Sequence, residues 1–226
     1  MLSAIILAAG QGRRLKAAGP KPLVKIGKFP AIIYSLNALD RHPGIDEIIV
    51  VVNTKNQRLI TQLIKSFSFK KVIKFVFGGR RRQDSVFNGL RIVNPNNNWV
   101  LIHDAARPFI DQESIVKVIL AAKKTGAAIL GVPVKATIKS ARKDLMVNKT
   151  IDRDNLWEIQ TPQVFSKELM LKAYKKYDKE KFTDDASLVE KLKVNVLIVQ
   201  GSYQNIKITT GEDLLFAGVI AKRRGY

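Results

Sequence analysis

The chain has 226 residues, and its 39 lysines and arginines against 19 aspartates and glutamates give a formal net charge of +20. Hydrophobic residues make up 46% of the sequence and cysteine is absent, which favours a folded protein of a reducing cytoplasm without disulfides or thiolate chemistry. No apolar run reaches the roughly 18 residues of a transmembrane helix, and the early first strand leaves no room for a signal or transit peptide. We therefore expect no membrane partner and a single domain over residues 1–226.

The excess of positive charge raises the alternative of a nucleic-acid-binding protein. Most lysines lie at helical spacing among apolar residues, as in KAYKKYDKEKF, which is typical of solvated helix faces. Aromatic residues make up 8% of the chain and do not interleave with the basic ones, as base stacking would require. Nucleic acid is therefore the less favoured partner, and we expect part of the charge to attract small anionic substrates.

Predicted strands and helices alternate through the first part of the chain. The predicted strands are continuous apolar runs, in chain order AIILAA, IDEIIVVVN, KVIKFVFGG, NWVLIHDAARPF and AAILGVPV. The predicted helices between them are PAIIYSLNALDRH, NQRLITQLIKSF, RQDSVFNGLRIV and DQESIVKVILAAKKTG, the last of which is closed by Gly126. Buried strands alternating with helices indicate an α/β fold, with a Rossmann-like, mostly parallel sheet covered by helices on both faces.

Residues 134–155 interrupt this alternation. They are polar, prone to β structure and without a helical stripe, so we interpret them as an extended β-hairpin arm, with a long surface loop as the alternative. A short strand and a helix follow in LWEIQTPQVFSKELMLKAY, and Thr183 is the predicted N-cap of the next helix, TDDASLVEKL. The chain then ends with two predicted strands, VNVLIVQG and NIKIT, and a helix, GEDLLFAGVIAKRR.

A glycine-rich loop follows the first strand, where open α/β sheets bind their ligands. Gly10 and Gly12 end the strand, and the cations Arg13, Arg14 and Lys21 come after them. Glycines let the backbone approach a ligand, and its amides can hold phosphate oxygens whose charge the cations would neutralise. The third glycine of the dinucleotide fingerprint and the Gly-Lys-Ser/Thr ending of ATP-binding loops are both absent, so a solvated turn is an equal alternative at this point.

A second glycine pair, in GGRRRQDSV, ends a later strand. Gly78 and Gly79 precede a predicted helix that has Asp84 and Ser85 near its start. A base or a phosphate could rest on that backbone. Taken alone, however, the stretch is better explained as a turn before a capped helix.

The stretch VLIHDAARPF carries a carboxylate out of an apolar strand. An unpaired carboxylate is costly there, so Asp104 is predicted either to pair with a cation such as Arg107 or to bind a metal. Mg²⁺ takes one or two protein carboxylates with phosphate oxygens and waters, and Asp104 fits that role. We expect His103 to be a hydrogen-bonded structural residue and His42, at a helix end, to lie on the surface. Lys207, within NIKIT, either reaches solvent or points at an anion.

The chain resembles the 2-C-methyl-D-erythritol 4-phosphate cytidylyltransferase family in seven stretches that occur in the same order. They are LAAGQGRRL, PKPL, GGRRRQDSV, HDAARPF, DRDNLWEIQTPQVF, TDDAS and NIKIT. The glycine loop is shared with many sugar-nucleotide pyrophosphorylases, whereas HDAARP and R-x-x-LW-x-x-QTPQ-F are much more specific. The resemblance covers nearly the whole chain and implies a fold of the nucleotide-diphospho-sugar transferase type. It also implies a nucleotidyltransferase that converts CTP and 2-C-methyl-D-erythritol 4-phosphate into 4-diphosphocytidyl-2-C-methyl-D-erythritol and pyrophosphate.

The resemblance also implies roles for individual positions. The family's catalytic cations correspond to Arg14, Lys21, Arg153 and Lys207. Its nucleotide contacts correspond to Ala8, Ala9, Gly10, Gly12, Gly79, Arg82, Ser85 and Ala105. Its polyol phosphate contacts correspond to Thr137, Arg153, Thr161 and Thr183, and its Mg²⁺ ligand to Asp104. In the family the arm reaches across a homodimer, so Arg153 is expected to serve the site of the neighbouring subunit.

The chain departs from the family at two places. Arg80 and Arg81 stand where the family usually has an acidic residue, and Pro22 follows Lys21 where a glutamine is more usual; we expect activity to survive both changes. One alternative function is cytidylyl transfer to another polyol phosphate such as ribitol 5-phosphate, although HDAARP and LWEIQTPQ favour methylerythritol. A non-catalytic homologue, suggested by the altered glycine-arginine loop, is a further alternative.

Overall fold

A computed structural model of the chain describes residues 1–10, 12 and 20–226, apart from the side chain of residue 73. The strands, in chain order, are β1 (Leu2–Leu7), β2 (Lys25–Ile26), β3 (Phe29–Pro30), β4 (Glu47–Val52), β5 (Val72–Phe77), β6 (Trp99–Asp104), β7 (Ala127–Pro133), β8 (Ile138–Ala141), β9 (Val147–Ile151), β10 (Trp157–Ser166) and β11 (Leu197–Gln200). The helices are α1 (Ala31–Asp40), α2 (Gln57–Lys65), α3 (Arg82–Leu90), α4 (Gln112–Thr125), α5 (Lys167–Tyr177), α6 (Asp185–Glu190) and α7 (Gly211–Arg223).

Seven strands form the main sheet, in the order β11-β7-β10-β6-β1-β4-β5. All neighbouring pairs are parallel except those of β10, which runs antiparallel to both β6 and β7. This arrangement confirms the predicted α/β fold with a Rossmann-like, mostly parallel sheet. Leu7 of β1 lies opposite Asp104 of β6 and Val51 of β4, and Val52 lies opposite Phe77 of β5. The loops that follow β1, β5 and β6 therefore leave the same edge of the sheet.

Helices cover both faces of the sheet, as predicted. Strand β4 is buried along its whole length because its successive residues alternate between two apolar clusters, one on each face of the sheet. Ile48 and Val50 belong to the cluster that contains α1, α2 and α4, whereas Ile49 and Val51 belong to the one that contains α3, α5 and α6. A strand buried on two faces has no polar side, which is why the sequence reads as a continuous apolar run.

Helix α4 shows how local sequence sets the ends of these helices. The Asp111 carboxylate accepts the Ser114 N–H at 2.7 Å at the helix start. Gly126 follows the last turn with a φ of 86°, and its N–H donates to the Ala122 carbonyl at 2.7 Å. This left-handed conformation favours glycine and confirms the predicted helix end.

Three predictions of local structure are wrong. The strand after the arm is ten residues long rather than short, because β10 pairs along both sides. The N-cap of α6 is Asp184, not Thr183, since the Asp184 carboxylate accepts the Ser187 N–H at 3.1 Å. The NIKIT stretch does not form a strand: Ile208 N–H donates to the Ala106 carbonyl at 2.8 Å, and the next residues already turn into the capping box of α7. That bond, together with the Asn205 side chain, which donates to the Thr161 carbonyl at 2.9 Å, still holds Lys207 beside the end of β6.

The predicted hairpin is present within residues 134–155. Strands β8 and β9 pair in antiparallel fashion, which confirms a β-hairpin rather than a surface loop. Most of its side chains are exposed, including the apolar Leu145, Met146 and Val147 at its tip, which are 85%, 58% and 61% exposed. The hairpin thus extends away from the sheet, which is the shape of an arm; its function in dimerisation and the single-domain boundary stay predictions.

The prediction that His42 lies on the surface is wrong. It is 5% exposed, and its Nδ1 accepts the Gly44 N–H at 3.1 Å. Burial, together with the nearby Lys71 ammonium, lowers the pKa of this imidazole below its usual value. Within the described ranges, none of the helices is long and apolar enough to span a lipid bilayer.

Candidate active site

Two cavities adjoin at the edge of the sheet where β1, β5 and β6 end. The first has a volume of about 540 Å³ and the second about 880 Å³. Three charged residues line both cavities: Arg82, Asp104 and Lys207. We call these three residues the junction, because any ligand of one cavity would meet a ligand of the other there.

The glycine loop after β1 forms one wall of the first cavity. Ala9, Gly10 and Gly12 line it together with Lys21. Gly12 has a φ of +67°, and a Cβ at this position would lie 2.7 Å from the Cγ of Lys21. Glycine is therefore required at position 12 for the lysine to approach the loop. The predicted cation Arg14 lies outside the described residues.

Gly79 of the second glycine pair also lines this cavity. A Cβ on Gly78 would lie 2.6 Å from the Ala9 Cβ, and one on Gly79 would lie 2.3 Å from the Asp84 Cβ. These positions must be glycine for the end of β5 to pack against the end of β1 and the start of α3. The Gly79 N–H donates to the Ser85 hydroxyl oxygen at 3.1 Å, and both residues line the cavity.

The two unusual arginines after Gly79 have different environments. Arg81 pairs with Asp84 at 2.6 Å and donates to the carbonyls of Asp178 and Glu180, so it fastens the start of α3 to the loop after α5. Arg80 is exposed and lines the first cavity. Both arginines line the first cavity and add positive charge to it, and Arg81 in addition has a structural role.

Asp104 ends β6 between two cations. Its Oδ2 lies 2.5 Å from the Lys207 Nζ, and its Oδ1 accepts from Nε and Nη2 of Arg82, both at 3.3 Å. Burial alone would raise the pKa of Asp104, but the charges of Arg82 and Lys207 outweigh it and hold the pKa well below the usual range. Asp104 is thus a buried anion at every physiological pH. The predicted pairing of Asp104 with a cation is confirmed, but the partner suggested for it is wrong, because the Arg107 guanidinium donates instead to the carbonyls of Asn205 and Ile159.

The backbone of Asp104 is held by a buried chain of hydrogen bonds. Its N–H donates to the Thr161 hydroxyl oxygen at 3.0 Å, and that hydroxyl lies 3.1 Å from Nδ1 of His103. His103 Nε2 lies 3.0 Å from the Arg107 carbonyl, which can only accept, so Nε2 carries the proton and the Thr161 hydroxyl donates to Nδ1. Burial lowers the pKa of His103 to about 4, which keeps the ring neutral. The expected hydrogen-bonded, structural role of His103 is confirmed.

Sequence reasoning missed Asp185. This carboxylate is 2% exposed and lies 2.8 Å from Nη1 of Arg82. Burial disfavours the charge of Arg82, but Asp185 and Asp104 together raise its pKa above the usual value. The sequence signal for it is the acidic pair that follows Thr183 in TDDAS.

The remaining predicted residues divide into three groups. Ala8 and Ala105 are fully buried and do not line either cavity, whereas the neighbouring Ala106 lines the first one. Thr161 and Thr183 line the second cavity. Thr137 and Arg153 do not: both are exposed on or beside the arm, where Arg153 donates to the Lys135 carbonyl.

The junction supplies one carboxylate, which is only part of the ligand set of a divalent cation. Asp104 is the junction's carboxylate, and among the residues described no three histidine, cysteine or acidic side chains come together as a metal cluster. Mg²⁺ often takes one carboxylate and draws its other ligands from phosphates and waters. The site therefore fits a cation that arrives with a phosphorylated ligand rather than one held by the protein alone.

The chain is similar to known proteins along nearly its whole length. A sequence profile described as IspD, 2-C-methyl-D-erythritol 4-phosphate cytidylyltransferase, matches residues 2–223. The 2-C-methyl-D-erythritol 4-phosphate cytidylyltransferases of Shouchella clausii (strain KSM-K16) and Dehalococcoides mccartyi (strain ATCC BAA-2266 / KCTC 15142 / 195) are 45% and 43% identical to it. Each alignment covers 98% of this chain, and 97% and 96% of the respective relative. The crystal structure of 4-diphosphocytidyl-2C-methyl-D-erythritol synthase from Anaerococcus prevotii superimposes with a TM-score of 0.87 at 36% identity, over 99% of this chain and 96% of that one.

Proposed function

The chain belongs to the 2-C-methyl-D-erythritol 4-phosphate cytidylyltransferase family, and we propose that its two adjoining cavities hold the two substrates of that family's reaction. The enzyme transfers the cytidylyl group of CTP to 2-C-methyl-D-erythritol 4-phosphate, in the non-mevalonate pathway of isoprenoid biosynthesis. The products are 4-diphosphocytidyl-2-C-methyl-D-erythritol and pyrophosphate. The alternatives of a ribitol phosphate enzyme, a nucleic-acid-binding protein and a non-catalytic homologue are not favoured by these relatives.

The observation that carries the proposal is the junction, which both cavities share. CTP occupies the first cavity, with its phosphates along the glycine loop and Lys21 and its base toward Gly79 and Ser85. The polyol phosphate occupies the second cavity, beside Thr161 and Thr183. The reacting phosphates then meet at Arg82, Asp104 and Lys207.

The reaction at the junction is a displacement at phosphorus. An oxygen of the polyol phosphate bonds to the α-phosphorus of CTP, and the bond from that phosphorus to the oxygen of the β-phosphate breaks, so that pyrophosphate leaves. The nucleophile is already an anion, so no general base is required, and the barrier lies in bringing two anions together. Lys207 and Arg82 reduce that repulsion on the side of the α-phosphate, and Lys21 stabilises the leaving pyrophosphate.

Asp104 is the residue that would hold Mg²⁺. Its carboxylate ends β6 at the meeting point of the cavities and is an anion despite its burial. When bound, Mg²⁺ supplies Lewis-acid stabilisation of charge on the triphosphate oxygens. Before that cation can bind, Asp104 has to loosen its bonds to Lys207 and Arg82.

The arm completes the second cavity of a neighbouring subunit in a homodimer. Arg153 and Thr137 correspond to polyol phosphate contacts, yet within one chain both lie outside the two cavities. A second copy of the chain can bring these side chains to the junction, and the exposed apolar tip of the arm favours such an interface. The absence of cysteine agrees with a cytoplasmic location for this dimer.

Pyrophosphate release tests the proposed function. The full chain should release pyrophosphate with CTP, Mg²⁺ and 2-C-methyl-D-erythritol 4-phosphate, and far more slowly with ribitol 5-phosphate. Lys207→Met should lower this rate at least about a hundredfold. The control is Lys191→Met, which removes an exposed lysine paired with Glu180 and should change the rate less than about twofold. A preference for ribitol phosphate, or equal rates for the two lysine variants, would contradict the proposal.

A further inference from the structure

Asp185 is a buried carboxylate to which the reaction above assigns no function. It begins α6, is 2% exposed, and its Oδ2 lies 2.8 Å from Nη1 of Arg82. The other side of the same guanidinium, through Nε and Nη2, lies 3.3 Å from Oδ1 of Asp104. Arg82 therefore spans two carboxylates, and Asp185 is the nearer of the two.

A divalent cation at Asp104 would disturb this arrangement. It would compete with both cations that now neutralise the carboxylate. The Lys207 side chain is 40% exposed, so it can move toward solvent or toward a phosphate. Arg82 is less exposed, at 28% of its side chain, and it would lose one of its two carboxylate partners. Its position would then depend on the remaining partner.

We propose that Asp185 is a positioning residue, which retains Arg82 at the junction and, by neutralising it, leaves Asp104 available to the divalent cation of a bound nucleotide. This inference rests on the proposed function, because it takes the junction to be where the metal-bearing nucleotide lies. Without Asp185, the guanidinium would turn fully to Asp104 and oppose the incoming cation. With Asp185, the charge of Arg82 is balanced from the side away from Asp104.

The backbone of Asp185 is held independently of its carboxylate. The Gln163 side-chain oxygen accepts the N–H groups of Asp185 and Ala186, each at 3.2 Å. The Gln163 amide donates to the Asp184 carboxylate at 2.8 Å, and Asp184 caps α6 through the Ser187 N–H. An asparagine at position 185 has nearly the same shape, so Asp185→Asn should remove the charge while these bonds keep α6 in place.

The test is the affinity for CTP measured by isothermal titration calorimetry on the full chain, once with Mg²⁺ and once with EDTA. Asp185→Asn should weaken CTP binding about tenfold in Mg²⁺, as expected for losing a nearby unit charge in a partly buried site, and should not weaken it in EDTA. Glu190→Gln is the matched control, since it removes the same charge from the exposed end of the same helix and leaves the bonds of Gln163 and Asp184 intact. This control should weaken CTP binding by less than about threefold in either medium.

The dependence on Mg²⁺ separates positioning from a merely structural role. An equal loss in EDTA, an equal loss in Glu190→Gln, or unchanged affinity of Asp185→Asn in Mg²⁺ would each overturn the inference. If Asp185→Asn does not fold, Asp185→Ser takes its place, because it also removes the charge and leaves Arg82 unchanged. Asp185→Ser should lose affinity mainly in Mg²⁺, and unchanged affinity would again overturn the inference. Absence of any CTP binding by the wild-type protein would instead refute the proposed function itself.

Discussion

The junction and the arm both carry charged residues of the proposed site, but the charges are buried and paired at the junction and exposed to solvent on the arm. Asp104 of the junction and the neighbouring Asp185 are almost completely buried, and each is paired with a cation of the same chain. On the arm, β8 and β9 are largely exposed, and Arg153 donates to a nearby backbone carbonyl, that of Lys135.

This difference shows which parts of the site one chain can preorganise. Burying a charge is costly unless it is paired, so the junction's charges are placed by each other and by the rigid sheet edge. An arginine exposed to solvent pays no desolvation penalty, so Arg153 does not need a partner within its own chain. It remains available to a ligand or to a second subunit. The predictions below test this division, from the largest expected effect to the smallest.

Removing the charge of Asp104 should have the largest effect. Asp104→Asn should lower the rate of pyrophosphate release at least about a hundredfold, because a preorganised charge at the reacting phosphates is lost. The fold should persist, since Arg82 keeps Asp185 as its partner and Lys207 can reach solvent. Circular dichroism and thermal unfolding serve as the control, and a variant as active as wild type would remove Asp104 from the site.

Mixing two inactive variants tests whether the arm acts across a dimer. Lys21→Ala and Arg153→Ala should each be strongly impaired, because each removes a cation of the proposed site. Each site takes Lys21 from one subunit and Arg153 from the other, so a mixed dimer has one intact site of its two. If subunits exchange freely, half of the dimers are mixed, and the mixture should recover about a quarter of wild-type activity. Mixed dimers, identified by two affinity tags, that stay inactive would mean that Arg153 serves its own chain.

The hydroxyl of Thr161 should contribute an intermediate effect. Thr161→Val leaves the buried Asp104 N–H without its acceptor. The variant should lose about 1–3 kcal/mol of stability, and its turnover should fall about tenfold because Asp104 can shift. Thr161→Ser keeps the hydroxyl and should recover most of both losses. Denaturant unfolding and pyrophosphate release on the pair measure this, and equal behaviour of the two variants would exclude a role for the hydroxyl.

Acid should affect the body of the protein more than the arm. Burial lowers the pKa of His42, so the imidazole binds a proton more readily in the unfolded chain than in the folded one. The contribution of His42 to the free energy of unfolding is therefore complete above pH about 6.5, the ordinary pKa of histidine, and falls as the pH drops below that value. His42→Asn should show a shallower fall in the free energy of unfolding between pH 7 and pH 5, measured with urea at 25 °C.

A carboxylate of the arm provides the control for this experiment. Asp144 is exposed, so Asp144→Asn should change the free energy of unfolding by less than about 0.5 kcal/mol at any of these pH values. An arm variant that changes the pH profile as much as His42→Asn would contradict the contrast between the two regions.

Most of the fold could be predicted because its signals are local. Continuous apolar runs correspond to β1, β4, β5, β6 and β7, and the helix between the last two, α4, begins after Asp111 and ends before Gly126, both ordinary capping residues. The predictions failed where distant contacts outweigh local pattern. NIKIT has the alternation of a strand but one backbone bond to Ala106, and His42 follows a helix yet is buried.

The site could be predicted as a set of residues but not as a set of contacts. Gly79, Ser85, Lys21, Asp104 and Lys207 were identified from their positions after strands and from the family resemblance, and all of them line the first cavity. No pattern in the sequence indicated that Arg82 would lie between Asp104 and Asp185, or that Thr161 would hold the Asp104 backbone.

By itself, the sequence determined the order of strands and helices, the glycines at the sheet edge and the family, because these depend on neighbouring residues and on short motifs. The tertiary structure alone decided which charges neutralise one another. Lys207 and Asp104 are 103 residues apart in the chain, as are Asp185 and the junction residue Arg82. Ion pairs of that kind form only when the sheet brings the carboxyl ends of its strands together, because a buried charge is stable only beside its partner.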